Sequence, residues 1–70
     1  MKIMRKNLIQ ARKNRGLTQK QLALILDVEP SSICNWESGY RTPVRKYRQK
    51  LTKFFGIPEH ILLTENKLHV

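Results

Sequence analysis

Seventy residues carry fourteen Lys and Arg against five Asp and Glu, for a net charge of +9 and a pI of about 10.3. This length makes one domain near the lower limit for folding on a hydrophobic core alone, and a single cysteine excludes an intrachain disulfide. There is no Cys/His cluster with metal spacing, no apolar run of membrane-spanning length and no uninterrupted apolar block at the N-terminus.

The expectation is therefore a cytoplasmic protein without metal, cofactor or membrane anchor, held together by packed helices. So basic a surface seeks a polyanion. Nucleic acid comes first, and an acidic membrane surface or acidic protein next. The plain alternative is that the charge only aids solubility.

In chain order, the apolar spacing predicts five helices and no strand. The first covers about residues 4–14, with Met4, Leu8 and Ile9 inward and Arg5, Lys6, Lys13 and Arg15 in water. Gly16 ends it by taking the left-handed conformation just past the last turn. Thr18 has N-cap chemistry, and Gln21 three residues on completes a capping box. Leu22, Ala23 and Leu26 share one face of the second helix. Asp27 ends it, since Asp visits the left-handed region more readily than most residues.

Only Asp27-Val28-Glu29 separates this helix from the third, which begins at Pro30, where proline needs no N–H and has its φ preset. Ile33 and Trp36 face inward, and Gly39 terminates it. So short a connection sets two helices at a steep angle. Thr42-Pro43 reads as the N-cap and start of a fourth helix, with Val44, Tyr47, Leu51, Phe54 and Phe55 at helical spacing. Gly56 stops it, and Pro58-Glu59 opens a short fifth helix carrying Ile61 and Leu62. Residues 1–63 form the domain, and 64–70 (TENKLHV) read as a polar, flexible tail.

The run ARKNRGLTQKQLALILDVEPSSICNWESGYRTP resembles the helix-turn-helix domain of the phage repressor and Cro class of transcriptional regulators. The matching residues are Arg12, Gly16-Leu17-Thr18-Gln19, Leu22-Ala23, Leu26, Val28, Ile33, Trp36-Glu37, Gly39 and Pro43, and the likeness extends from Leu8 to Leu62. It implies an all-α, five-helix repressor-like DNA-binding domain, and an ion pair between Arg12 and Glu37. There are departures. Asp27 stands where the family usually has Gly, Pro30 where many relatives have a polar residue that touches DNA, and Leu24 and Ile25 where polar residues are usual.

Much of the pattern has a physical reason. Ala23 must be small because the third helix crosses the second there at close range. Trp36 shares a face with Ile33 and so reads as core rather than as a stacking platform. With these two inside, Ser31, Ser32 and Asn35 point out.

In a helix-turn-helix domain the third helix, about residues 30–38, enters the major groove. Asn35 is the best base reader, since its amide matches the N6 and N7 edge of adenine, with Ser31 and Ser32 less specific. That helix has no Lys or Arg. Backbone contacts are therefore assigned to Gln19, by resemblance, and to Lys20, Arg41, Thr42 and Arg45.

The function expected is a sequence-specific DNA-binding regulator, a repressor of bacterial, phage or mobile-element origin. It would form a weak homodimer on double-stranded DNA through Ile57, Ile61, Leu62, Leu63, Leu68 and Val70. No catalysis is expected, because His60 and His69 lie beside no paired carboxylates and no Ser/His/Asp set. The alternative is an antitoxin-like protein-interaction module that meets a partner through Leu24 and Ile25. Cys34 shows no sign of activation in the sequence.

Overall fold

A capping box starts the second helix, α2 (Gln19–Leu26). The Thr18 Oγ1 accepts from the Gln21 backbone N–H at 3.1 Å, and Gln21 Oε1 accepts from the Thr18 N–H at 2.9 Å. Each satisfies a backbone donor that a helix start leaves open. Thr18→Ala is expected to cost about 1 kcal/mol in urea unfolding.

The computed structural model describes residues 2–68. Before α2 lie β1 (Lys2–Met4) and α1 (Lys6–Asn14); after it come α3 (Pro30–Ser38), α4 (Arg45–Phe55), α5 (Glu59–Leu62) and β2 (Asn66–Leu68).

Turn residues end the helices as the sequence predicts. Gly16, Gly39 and Gly56 all have positive φ. So does Asp27, at φ 59° and ψ 51°, and it supplies in a non-glycine residue the left-handed turn between α2 and α3. The Val28 N–H then donates to the Ala23 carbonyl at 2.9 Å and closes the end of α2.

Each helix contributes a side chain with no exposure to one core: Leu8 from α1, Leu22 from α2, Ile33 from α3, Leu51 from α4 and Leu62 from α5. Trp36 and Phe55 are also buried there, and the Trp36 and Tyr47 rings lie 5.6 Å apart. The body is all-α.

The ends need a correction. Lys2–Met4 and Asn66–Leu68 pair as a two-stranded antiparallel sheet, Met4 opposite Asn66 and Lys2 opposite Leu68. Residues 66–68 of the segment read as a polar tail are thus strand, and Met4 belongs to β1 rather than to the first helix. Three-residue strands are too short to show a period-two pattern, and their partners are distant in sequence.

The fourth helix also starts later than expected. Val44, not Thr42, is the N-cap residue of α4, no side chain caps it, and Val44 is exposed rather than inward. Thr42 precedes a proline, which disfavours helical backbone there. Its hydroxyl is taken by Arg5.

Candidate nucleic-acid interface

The outward face of α3 is small, polar and uncharged. Ser31, Cys34 and Ser38 are exposed, and Asn35 is half-buried. The Asn35 amide makes no side-chain hydrogen bond to another described residue. Its backbone carbonyl instead accepts from Ser38 Oγ at 3.3 Å and from the Arg41 N–H at 3.2 Å. The amide edge is therefore available to an external partner. Ser32 is half-buried and lines a shallow depression with Asp27, Val28, Glu29 and Tyr47. Glu29 occupies the N-cap position of α3 but gives no side-chain cap.

Behind that face, α3 is anchored by buried charge. The Arg12 Nε donates to Glu37 Oε2 at 2.6 Å and Arg12 Nη2 to Glu37 Oε1 at 3.2 Å. Arg12 Nη1 donates to the Leu17 carbonyl at 2.7 Å. Gln19 Nε2 adds a third donor to Glu37, at 2.9 Å to Oε1. This joins α1, the start of α2 and the last turn of α3. Gln19 is thereby committed in part to holding α3, and one of its two amide N–H groups stays free to donate to a phosphate.

A second anchor is one that sequence reasoning missed. Arg5, which the sequence pattern puts in water, is 1% exposed. Its backbone N–H donates to the Glu37 carbonyl at 2.8 Å, and Nη1 to the Trp36 carbonyl at 2.6 Å and the Arg41 carbonyl at 3.0 Å. Nη2 donates to Thr42 Oγ1 and Glu65 Oε1, both at 3.0 Å. A guanidinium thus caps the carbonyl end of α3, where the helix dipole favours a cation. It also ties down the loop that follows. Nothing local marks Arg5 out among fourteen basic residues; the signal is its contacts, up to sixty positions away in sequence.

Positive charge flanks the α3 face on neighbouring segments. Lys20 is exposed in the first turn of α2, and Arg41 and Arg45 are exposed on the loop and first turn that follow α3. The Arg41 guanidinium sits 5.5 Å from the centroid of the Tyr40 ring, which is 74% exposed. Thr42 is exposed, but its hydroxyl already accepts from Arg5. Two of the basic residues of α4 are tied to the body of the domain. Arg48 is half-buried and donates to the Pro43 carbonyl and to Glu59, and Lys50 donates to the Leu26 carbonyl at 3.2 Å.

A profile described as a helix-turn-helix domain matches residues 6–68. The chain belongs to the helix-turn-helix domain family. Among curated proteins it is similar to a putative multi-protein-binding factor 1 of Yarrowia lipolytica, with 35% identity over 52 residues. That match covers 74% of this chain and 34% of the relative. It is also similar to multiprotein-bridging factor 1a of Arabidopsis thaliana, 38% identical over 53 residues, or 76% of this chain and 37% of the relative. The chain spans about a third of the length of these relatives. No solved structure matches it. Both relatives carry the name of a binding or bridging factor rather than a phage repressor, so it is the broader helix-turn-helix family that is shown.

The expected dimer surface also changes. Leu62 is fully buried in the chain's own core, and Ile57 and Leu63 pack against that core. Ile61 stays 46% exposed. The side chain of Leu68 and the whole of His69 and Val70 lie outside the described residues. Among the described residues no helix is long and apolar enough to cross a membrane.

Proposed function

We propose that this protein is a sequence-specific DNA-binding regulator of transcription that lays α3 into the major groove and represses by occupying a promoter. The observation that carries this reading is the division of labour on α3. Its inner side is locked by Ile33, Trp36 and the buried Arg12–Glu37 pair, while its outer side offers uncharged hydrogen-bonding groups. Ser31, Ser32 and Asn35 read bases, Asn35 foremost. Gln19, Lys20, Arg41 and Arg45 hold phosphates and fix the register. Thr42 serves in the same loop by keeping Arg41 in place through Arg5.

Selection of bound sites from a random duplex pool, with binding repeated across salt concentrations, tests this. A near-palindromic motif with half-sites about 34 Å apart supports a two-fold dimer on DNA. A steep salt slope with no enriched sequence means indiscriminate binding and overturns the regulator reading. Asn35→Ala is expected to lower specific affinity by about 1–3 kcal/mol and leave non-specific binding unchanged. Equal loss on every sequence removes Asn35 from the base readers.

A second reading is favoured by Leu24 and Ile25, 75% and 50% exposed, and by the names of the two relatives. On that reading the domain also binds a protein partner.

A further inference from the structure

We propose that the groove between α2 and α4 docks an acidic amphipathic helix of a protein partner. This rests on the second reading above and names the chemistry of the partner.

The groove is lined by Ile25, Leu26, Lys50, Lys53 and Phe54. Leu26 is buried and Phe54 half-buried, so the floor is apolar, while Ile25 forms an open apolar wall. Leu24, one residue earlier on α2, is a further exposed apolar side chain of the same helix. Two lysines line the groove beside the floor. Lys53 is exposed, Lys50 is held beside the groove by its bond to the Leu26 carbonyl, and the Arg15 guanidinium lies 4.8 Å from the Phe54 ring centroid. Among the described residues no acidic side chain lines this groove; Asp27 and Glu29 line the separate depression beside Ser32.

An apolar floor rimmed by cations fits a ligand with apolar anchors and negative flanks. A helix with apolar residues on one face and Asp and Glu beside them has that form. DNA offers no comparable apolar anchor, and none of the groove residues is on α3. A second copy of this chain would bring its own charge of +9 against the same lysines. The groove therefore leaves α3 free, and one domain can hold DNA and an acidic segment together.

The probe is a short fluorescein-labelled synthetic peptide with Leu and Phe at helical spacing and Asp and Glu between them, compared with its scrambled sequence. Anisotropy gives affinity, and amide shifts on the full chain give the site. The patterned peptide is expected to bind more tightly than the scrambled one and to shift Ile25, Leu26, Lys50, Lys53 and Phe54. Leu24→Ser with Ile25→Ser, both exposed and so safe for folding, is expected to weaken it about tenfold, a change of about 1.4 kcal/mol.

Lys53→Glu is expected to weaken it as well and to flatten its salt dependence. Equal binding of the scrambled peptide, or shifts centred on Asn35 and Arg41, overturns the proposal, because the peptide is then only mimicking DNA. Insensitivity to the Leu24 and Ile25 changes overturns it too. DNA affinity of the uncharged Leu24→Ser, Ile25→Ser variant, measured in parallel, is expected to be unchanged, so loss of the DNA reading and loss of this one are distinguishable.

Discussion

Glu37→Ala is expected to destabilise the protein by about 3–5 kcal/mol, the cost typical of breaking a buried ion pair by removing one partner. A 70-residue domain has roughly 4–10 kcal/mol to lose, so the variant should be largely unfolded or close to it. The side chains of Arg12 and Glu37 are 11% and 5% exposed. Without Glu37 the Arg12 guanidinium keeps the Leu17 carbonyl as its partner and little else, and Gln19 loses its acceptor.

Urea unfolding followed by circular dichroism checks this. Replacing both Arg12 and Glu37 by Met is expected to recover much of the loss, since a well-packed apolar pair is often as stable as a buried ionic one. A cost below about 1 kcal/mol for Glu37→Ala would mean that the pair behaves as a solvated one.

Arg5→Met is the second large effect, expected at about 3 kcal/mol or more. Hydrogen bonds to a charged group are worth about 1.5–3 kcal/mol each and do not simply add. The substitution leaves the Trp36 and Arg41 carbonyls and the Thr42 hydroxyl without the donor they now have. Arg5→Lys should rescue only partly, because one ammonium cannot reproduce a planar fork that reaches separate acceptors.

Glu65→Gln should cost about 1 kcal/mol or less, because Glu65 is 49% exposed and its pairing is screened by water. Hydrogen exchange distinguishes this anchoring role from a general loss of packing. The amides of residues 38–42 should lose protection before those of the Leu22 and Leu51 core. If all amides exchange together, Arg5 is a global stabiliser and not a clasp on the loop that carries Arg41.

The same clasp bears on the C-terminal segment. Deleting residues after Leu62 would test a C-terminal dimer surface. It also removes Glu65, an acceptor for Arg5, and Asn66, whose Oδ1 accepts from the Lys6 N–H at 3.1 Å. Such a deletion would alter the end of α3 and the 40–42 loop as well as any dimer. Ile61, exposed and surface-placed, is the better position for a test of association.

The sequence by itself determined what is local and periodic. The capping box at Thr18 and Gln21, the left-handed turns at Asp27 and Gly39, proline at the start of α3 and the inward Ile33 and Trp36 all depend on neighbours within a few residues. They are enough to mark the turn and so the face of α3 that a ligand can reach. What lies far apart in the chain was decided only by tertiary structure. Arg5 leaves water because the fold brings the carbonyl end of α3, the 40–42 loop and Glu65 around it, and three-residue strands exist only because the two ends meet. Lys50 and Phe54 meet Ile25 across the groove for the same reason. Local pattern reports the backbone's own preferences; burial, and the pairing of charge that burial demands, belongs to the whole fold.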